Sequence, residues 1–383
     1  MKTMNVYLDN AATTKVSDEA IDAMMYILRT EYGNPSSTHY MGRRASEALS
    51  GARKSIADAL SAAQNEIYFT SGGTEANNWA ILGLAEAFAK RKNRHMITTA
   101  IEHNSVHSPV QKIESMGWDV TYLMPDKSGR ISPADFGAAL REDTAFASIM
   151  LVNNETGAIN PIHEFAAEIK RRTLNTVLHT DAVQGFCKIP FAVKTLDVDL
   201  LTISAHKIHG SKGAGALYVK SGVKLPSFLL GGPHENEKRA GTEALPAAVA
   251  FGEAARLGFA RREEVAAIVS GLREHIVRRL SAEVPDAVVI GAEGGSPFIL
   301  NLSLPGHKSE VLMSFLESDG ICVSKSSACK KGARSHVLTA MQLPNTVIDG
   351  AIRVSFSRYN TPDECEYFVQ TLKKASQTLF KAL

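Results

Sequence analysis

Cysteine is scarce in this chain, and its scarcity sets the first limits. The 383 residues hold four, Cys187, Cys322, Cys329 and Cys365. None forms a C-x-x-C pair or takes zinc-finger spacing, so reduced thiols are expected rather than a disulfide framework or a structural zinc site. Long apolar runs are missing too: the longest, Ala244 to Gly252, is too short to span a bilayer. The opening Met1-Lys2-Thr3-Met4-Asn5 turns polar at once and has no apolar signal segment, so a cytoplasmic protein without membrane contact is expected. Excess charge of one sign is also absent. Lys plus Arg number 42 against 40 for Asp plus Glu, which leaves no global field to draw in nucleic acid. Neither a Walker A pattern, nor G-x-G-x-x-G, nor H-E-x-x-H, nor an internal repeat occurs.

What is present is the composition of a folded globular protein, 44% hydrophobic and 21% charged. Its length suits a large and a small domain. From about residue 65 to 220, short β-rich runs alternate with helical stretches, the pattern of an α/β domain with a mostly parallel seven-stranded sheet sandwiched by helices. The strands are expected at Ile67 to Thr70, Met96 to Thr99, Val120 to Leu123, Ala147 to Val152, Val177 to His179, Leu200 to Ile203 and Gly215 to Val219. Glu75 to Lys90, Asn104 to Ser115 and Pro161 to Arg172 read as helices, and Lys90-Arg91-Lys92 as a solvated helix end. A helical passage from Pro246 to Leu280 leads to a smaller α+β region. There Ala287 to Ile290, Ile299 to Leu304 and Ile352 to Phe356 read as strands, and Ser309 to Ser318 and Asp363 to Ala382 as helices.

Ligands in open α/β sheets bind beyond the carboxyl ends of the strands. Lys207 follows such a strand, in Ser204-Ala205-His206-Lys207. A lysine there can lose its proton through burial and attack an aldehyde, as a pyridoxal phosphate (PLP) Schiff base requires; a solvated turn lysine is the competing reading. Asn154 and Asp181 follow the two preceding strands, at intervals of 27 and 26 residues along the series Asn154, Asp181, Lys207. Asp181 can keep a pyridine nitrogen protonated, or simply cap a helix. Ser71-Gly72-Gly73-Thr74-Glu75 joins a strand to a helix, where free backbone N–H groups make an anion site; Thr74, Ser204 and His206 could complete a phosphate shell. His103 could lay its ring on a pyridine face. Its i, i+4 spacing to His107 also suits zinc, but no third ligand is evident. Cys329 sits among small polar residues and three lysines that favour thiolate, and looks like a nucleophile. Cys322 and Cys187 read as buried packing residues. Arg353 interrupts a strand pattern with a bidentate carboxylate binder that could equally face solvent.

Taken in order, Tyr7 to Thr14, Tyr32 to Ser37, Thr70 to Glu75, Glu102-His103, Asn153 to Gly157, Asp181 to Gln184, Ser204 to Gly210, Arg239 to Glu243 and Ser327-Ala328-Cys329 resemble the cysteine desulfurases. These are class V members of the fold type I PLP enzymes. The resemblance implies that Lys207 carries the cofactor, Asp181 pairs the pyridinium, Gln184 contacts the ring oxygen and His103 stacks on the ring and takes part in catalysis. It further implies phosphate contacts from Gly73, Thr74, Ser204 and His206, with Thr242 contributed across a homodimer interface. Asn154 would lie near substrate and ring oxygen, Arg353 would bind the substrate carboxylate, and Cys329 would receive sulfur from L-cysteine as a persulfide. That sulfur would pass to an acceptor such as an iron-sulfur scaffold or a tRNA-thiolation partner. Residues 16–255 would form the large PLP-binding domain, and 1–15 with 256–383 the small one. No metal is implied. Lys325 and Lys330-Lys331 depart from the usual pattern around the thiol. A selenocysteine lyase or another class V aminotransferase would share Lys207 and Asp181, and keto-acid dependence would reveal a transaminase; a noncatalytic interaction protein could retain the fold, and failure to bind PLP would reveal it.

Overall fold

The structure is a computed structural model that describes residues 4–90, 94–291, 293–325 and 334–381. In chain order the strands are β1 (Val6–Tyr7), β2 (Ile67–Thr70), β3 (His95–Thr99), β4 (Asp119–Leu123), β5 (Thr144–Ser148), β6 (Val177–Asp181), β7 (Leu200–Ser204), β8 (Gly215–Val219), β9 (Val288–Ile290), β10 (Ile299–Ser303), β11 (Ile321–Cys322), β12 (Ser324–Lys325) and β13 (Ala351–Ser355). The α-helices are α1 (Asp18–Thr30), α2 (Tyr40–Leu60), α3 (Gly73–Ala87), α4 (Asn104–Ser115), α5 (Pro133–Ala139), α6 (Ile162–Arg171), α7 (Val193–Leu196), α8 (Leu245–Ala260), α9 (Arg262–Glu283), α10 (Ser309–Ser318), α11 (His336–Ala340), α12 (Asn345–Asp349) and α13 (Pro362–Thr378).

The seven-stranded sheet has the order β2-β8-β7-β6-β5-β3-β4. Pairings from β4 through β7 are parallel, and β8 runs against both of its neighbours. Both faces of this sheet are covered, so its strands other than the edge strand β4 are buried along most of their length. Alternate residues divide between two cores. Met96, Phe146, Leu200 and Leu217 pack with Trp79 of α3 and Val106 and Val110 of α4. Ile97, Ala147, Leu201 and Ile203 pack with Ile56 of α2, Phe165 of α6 and Phe251 of α8. A third core surrounds the antiparallel sheet β12-β13-β10-β9 and gathers α9, α10 and α13; Val6, Leu8 and Ala11 from the start of the chain join it.

Strand β5 lies earlier than expected. The apolar run continues through Val152, and residues 149–152 are as buried as the strand itself, so hydrophobicity does not mark where pairing stops. Ile149 and Leu151 still donate to the carbonyls of His179 and Asp181, at 3.1 and 2.9 Å. The helical passage after Pro246 divides at Arg261 into α8 and α9. Cys322 corrects an expectation. It is exposed, because Ile321 and Val323 on either side take the buried positions of the alternating pattern. Cys187 is partly buried and Cys365 buried. Among the described residues, no helix is long and apolar enough to cross a membrane.

Candidate active site

One edge of the large sheet collects the ends of β2, β3, β5, β6 and β7, and a cavity of about 400 Å³ opens there. Strand β7 is buried throughout and passes through one 3-10 turn, Ala205–Lys207, which delivers Lys207 to the cavity wall. Its Nζ donates to the carbonyl oxygens of Ala11 and Ala12, at 2.6 and 2.7 Å. Burial, and then the positive charge of Arg353, push this amine down from 10.5 to about 8. About a tenth of it is therefore uncharged and nucleophilic at pH 7, far more than for an ordinary lysine.

Asp181 ends β6 and is 5% exposed. Its Oδ1 accepts from the Val183 amide at 2.9 Å and its Oδ2 from Asn77 Nδ2 at 2.7 Å. At the opposite polarity, Ser204 ends β7 with a buried hydroxyl that has no partner among the described residues. Gly73 and Thr74 open α3 beside it, where the first amides of a helix have no intrahelical acceptor. A Cβ on Gly73 would come within 2.9 Å of Val183 Cγ2 and 3.6 Å of Ser204 Cβ. His206, also on the wall, meets Thr13 Oγ1 at 3.2 Å; burial and the charge of Lys207 push it down to about 4, so it is neutral. An unpartnered hydroxyl and helix N-terminus, an amine and a buried carboxylate in one cavity match the phosphate, aldehyde and pyridinium of PLP. The residues fit that group.

Gln184, Asn154, His103 and Arg353 line the same cavity. Gln184 Nε2 donates to the Ala11 carbonyl at 2.9 Å, while its Oε1 accepts from Lys188 Nζ at 3.1 Å. His103 caps α4, its Nδ1 accepting from the Ser105 amide at 3.1 Å. Its ring is open to the cavity, yet the protein around it displaces bulk water and lowers its affinity for a proton. Arg353 does not face solvent. It is 5% exposed, with Nη1 on the Asn154 carbonyl at 2.9 Å and Nη2 on Asp9 Oδ1 at 3.0 Å. Two of the five N–H groups of its guanidinium are thus engaged. Thr242 is exposed and does not line this cavity. Cys329, with Lys330 and Lys331, lies outside the described residues. Among the described residues no group of three or more His, Cys, Asp or Glu side chains is placed to hold a metal ion.

Sequence reasoning missed several residues here. Lys188 is a buried amine, pushed down to about 7 by burial and then by Lys207, and its sequence signal was only its position four residues after Gln184. Glu102 is buried; its Oε1 accepts from Thr99 Oγ1 and the Met150 amide, both at 2.9 Å, and burial pushes it up to about 8. Its carbonyl meets His336 Nε2 at 3.0 Å. His336 and Ser324, on either side of the undescribed stretch 326–333, both line the cavity. Nothing in their local sequence marks them.

The family model for aminotransferase class-V matches residues 6–368. The chain belongs to this family. Among individual relatives, a protein named cysteine desulfurase IscS from Methanosarcina thermophila is 41% identical, over 98% of this chain and 92% of that protein. Another of that name from Dictyoglomus turgidum is 39% identical, over 98% and 95%. Of solved structures, a NifS-like protein superposes with a TM-score of 0.93 at 35% identity, covering 98% of this chain and all of that one. SspA in complex with cysteine gives a TM-score of 0.81 at 32% identity, covering 93% of this chain and 100% of that one. Class V membership agrees with the α/β fold and with a PLP site at the sheet edge.

Proposed function

We propose that this protein is a PLP-dependent cysteine desulfurase: L-cysteine and the Cys329 thiol give L-alanine and a persulfide on Cys329. The observation that carries the reading is the depressed amine of Lys207 in one cavity with buried Asp181 and the unpaired Ser204 hydroxyl. The similarity to proteins named cysteine desulfurase supplies the reaction.

When bound, PLP supplies an electron sink that makes the substrate Cα–H bond acidic. Lys207 Nζ would hold it and, with substrate in the cavity, would be the base that takes the Cα proton. Asp181 holds the ring-nitrogen proton through its buried carboxylate. Ser204, Thr74, His206 and the amides at Gly73 hold the phosphate, with Thr242 serving the partner subunit of a homodimer. Gln184 and Asn154, on the cavity wall, would hold the ring oxygen. Arg353 keeps one N–H on each of Nη1 and Nη2 for the substrate carboxylate. His103, on the cavity wall, would lie against the ring and handle a proton at the substrate. Cys329 Sγ, as thiolate, bonds to the substrate sulfur as the C–S bond breaks; the electron pair stays with carbon, which is protonated to give alanine. Residues 16–255 carry the cofactor, and 1–15 with 256–383 the substrate arginine and the thiol. The persulfide passes to an acceptor protein such as an iron-sulfur scaffold in the cytoplasm.

The test is product analysis with L-cysteine and no added keto acid. Sustained L-alanine formation is expected. A requirement for a keto acid would make the protein a transaminase and overturn the reading.

A further inference from the structure

Two buried side chains outside the described chemistry connect Asp181 to His103. Asn77, on the second turn of α3, is fully buried, and its Nδ2 lies 2.7 Å from Asp181 Oδ2 and 2.8 Å from Ser105 Oγ. Ser105, in the first turn of α4 and 7% exposed, places the same Oγ 2.8 Å from His103 Nδ1. The Asn77 Oδ1 atom is buried without a partner among the described residues. A buried, unpaired carbonyl destabilises a fold, so an amide kept here is explained by what its N–H groups do.

The polarity of the chain follows from donor and acceptor inventories. An ionised Asp181 only accepts, so Asn77 must turn its NH₂ toward it. One N–H goes to Asp181 and the second to Ser105 Oγ. Having accepted there, the Ser105 hydroxyl has its own proton free for His103 Nδ1. The Ser105 backbone amide aims at Nδ1 as well, at 3.1 Å. Two donors converge on one ring nitrogen, which therefore carries no proton. The proton of neutral His103 resides on Nε2, for which no protein partner is found among the described residues and which belongs to a ring on the cavity wall.

We propose that Asn77 and Ser105 are positioning residues that couple the carboxylate of Asp181 to His103 and hold its imidazole as the Nε2–H tautomer, presenting a proton donor to the cavity. The side chain that pairs the ring nitrogen and the one that works at the substrate are then set by one hydrogen-bonded series. This proposal rests on the PLP reading for its catalytic meaning, but not for its geometry.

The test is nitrogen NMR of the PLP-loaded protein labelled with ¹⁵N-histidine, His103 being assigned by comparison with His103→Gln. The expected spectrum shows an unprotonated Nδ1 and a protonated Nε2. A proton on Nδ1 would overturn the proposal whether or not the protein turns over cysteine, whereas lack of turnover with the expected tautomer would count against the function alone. Asn77→Leu, or Ser105→Ala if the first fails to fold, should show mixed tautomers and a kcat lowered about tenfold or more with KM for cysteine within about twofold. A variant with the wild-type tautomer and kcat would show that the series does not set the ring.

Discussion

As the proposed attachment point, Lys207 would control loading of the cofactor through its proton. Below about pH 8 most of its amine is charged, so capture of PLP by the cofactor-free protein should speed up about tenfold per pH unit and level off above that pH. Following the cofactor absorbance band against pH checks this; a flat profile between pH 6 and 8 would mean that another group limits loading. Arg353, the proposed carboxylate binder, would act at a different step. Its guanidinium is oriented by Asp9 and the Asn154 carbonyl, so Arg353→Lys keeps charge but loses the planar fork. Steady-state kinetics should show KM for L-cysteine raised about 10- to 100-fold, the worth of one or two charge-assisted hydrogen bonds. An unchanged KM would place the substrate carboxylate elsewhere.

At the level of elements, the site depends on how closely β8 approaches the turn between β2 and α3. A Cβ on Gly215 would stand 2.6 Å from the backbone of Gly72 and 2.9 Å from the Ile203 carbonyl, and none of these atoms belongs to a flexible side chain. Gly215→Ala should therefore cost about 1–3 kcal/mol in denaturant unfolding and loosen PLP, measured as faster cofactor loss on dialysis. His179 joins three strands, Nδ1 meeting Ser148 Oγ on β5 at 2.8 Å and Nε2 meeting Thr202 Oγ1 on β7 at 3.1 Å. Burial holds it down at about 3. Above about pH 6.5 the ring is neutral folded or unfolded and pH has no effect through it. Between 6.5 and 3 the unfolded chain binds a proton that the folded one excludes, so stability falls by about 1.4 kcal/mol per unit of acidification. His179→Gln should flatten that loss in acid unfolding curves. The elements themselves were readable where pattern and chemistry agree: α4 and α10 begin and end where expected, as does β8. Helices α1 and α2 went unread although Ala45, Leu49, Ala52 and Ile56 form an apolar stripe along α2. The cavity residues named from strand ends converge because parallel strands bring their carboxyl ends to one edge. Asn77, Ser105 and His336 were illegible because their roles come from contacts with residues remote in sequence, 104 positions in the case of Asn77 and Asp181; Lys188 was illegible because only the fold buries its amine.

At the scale of the whole molecule, Thr242 stands outside its own cavity and Leu230 and Tyr32 are 89% and 74% exposed, apolar surface that a second subunit would cover. Sedimentation should therefore report a homodimer, and Leu230→Asp should weaken both the dimer and cofactor retention. A monomer that keeps PLP would remove Thr242 from the site. The proposed reaction joins an amine at the end of a strand of the large sheet to a thiol 122 residues further on, Lys207 to Cys329. Mass spectrometry of the PLP-loaded protein after exposure to L-cysteine tests that union most directly. One added sulfur is expected on the peptide that contains Cys329, and none in Lys207→Ala; an unmodified Cys329 peptide while alanine accumulates would contradict it.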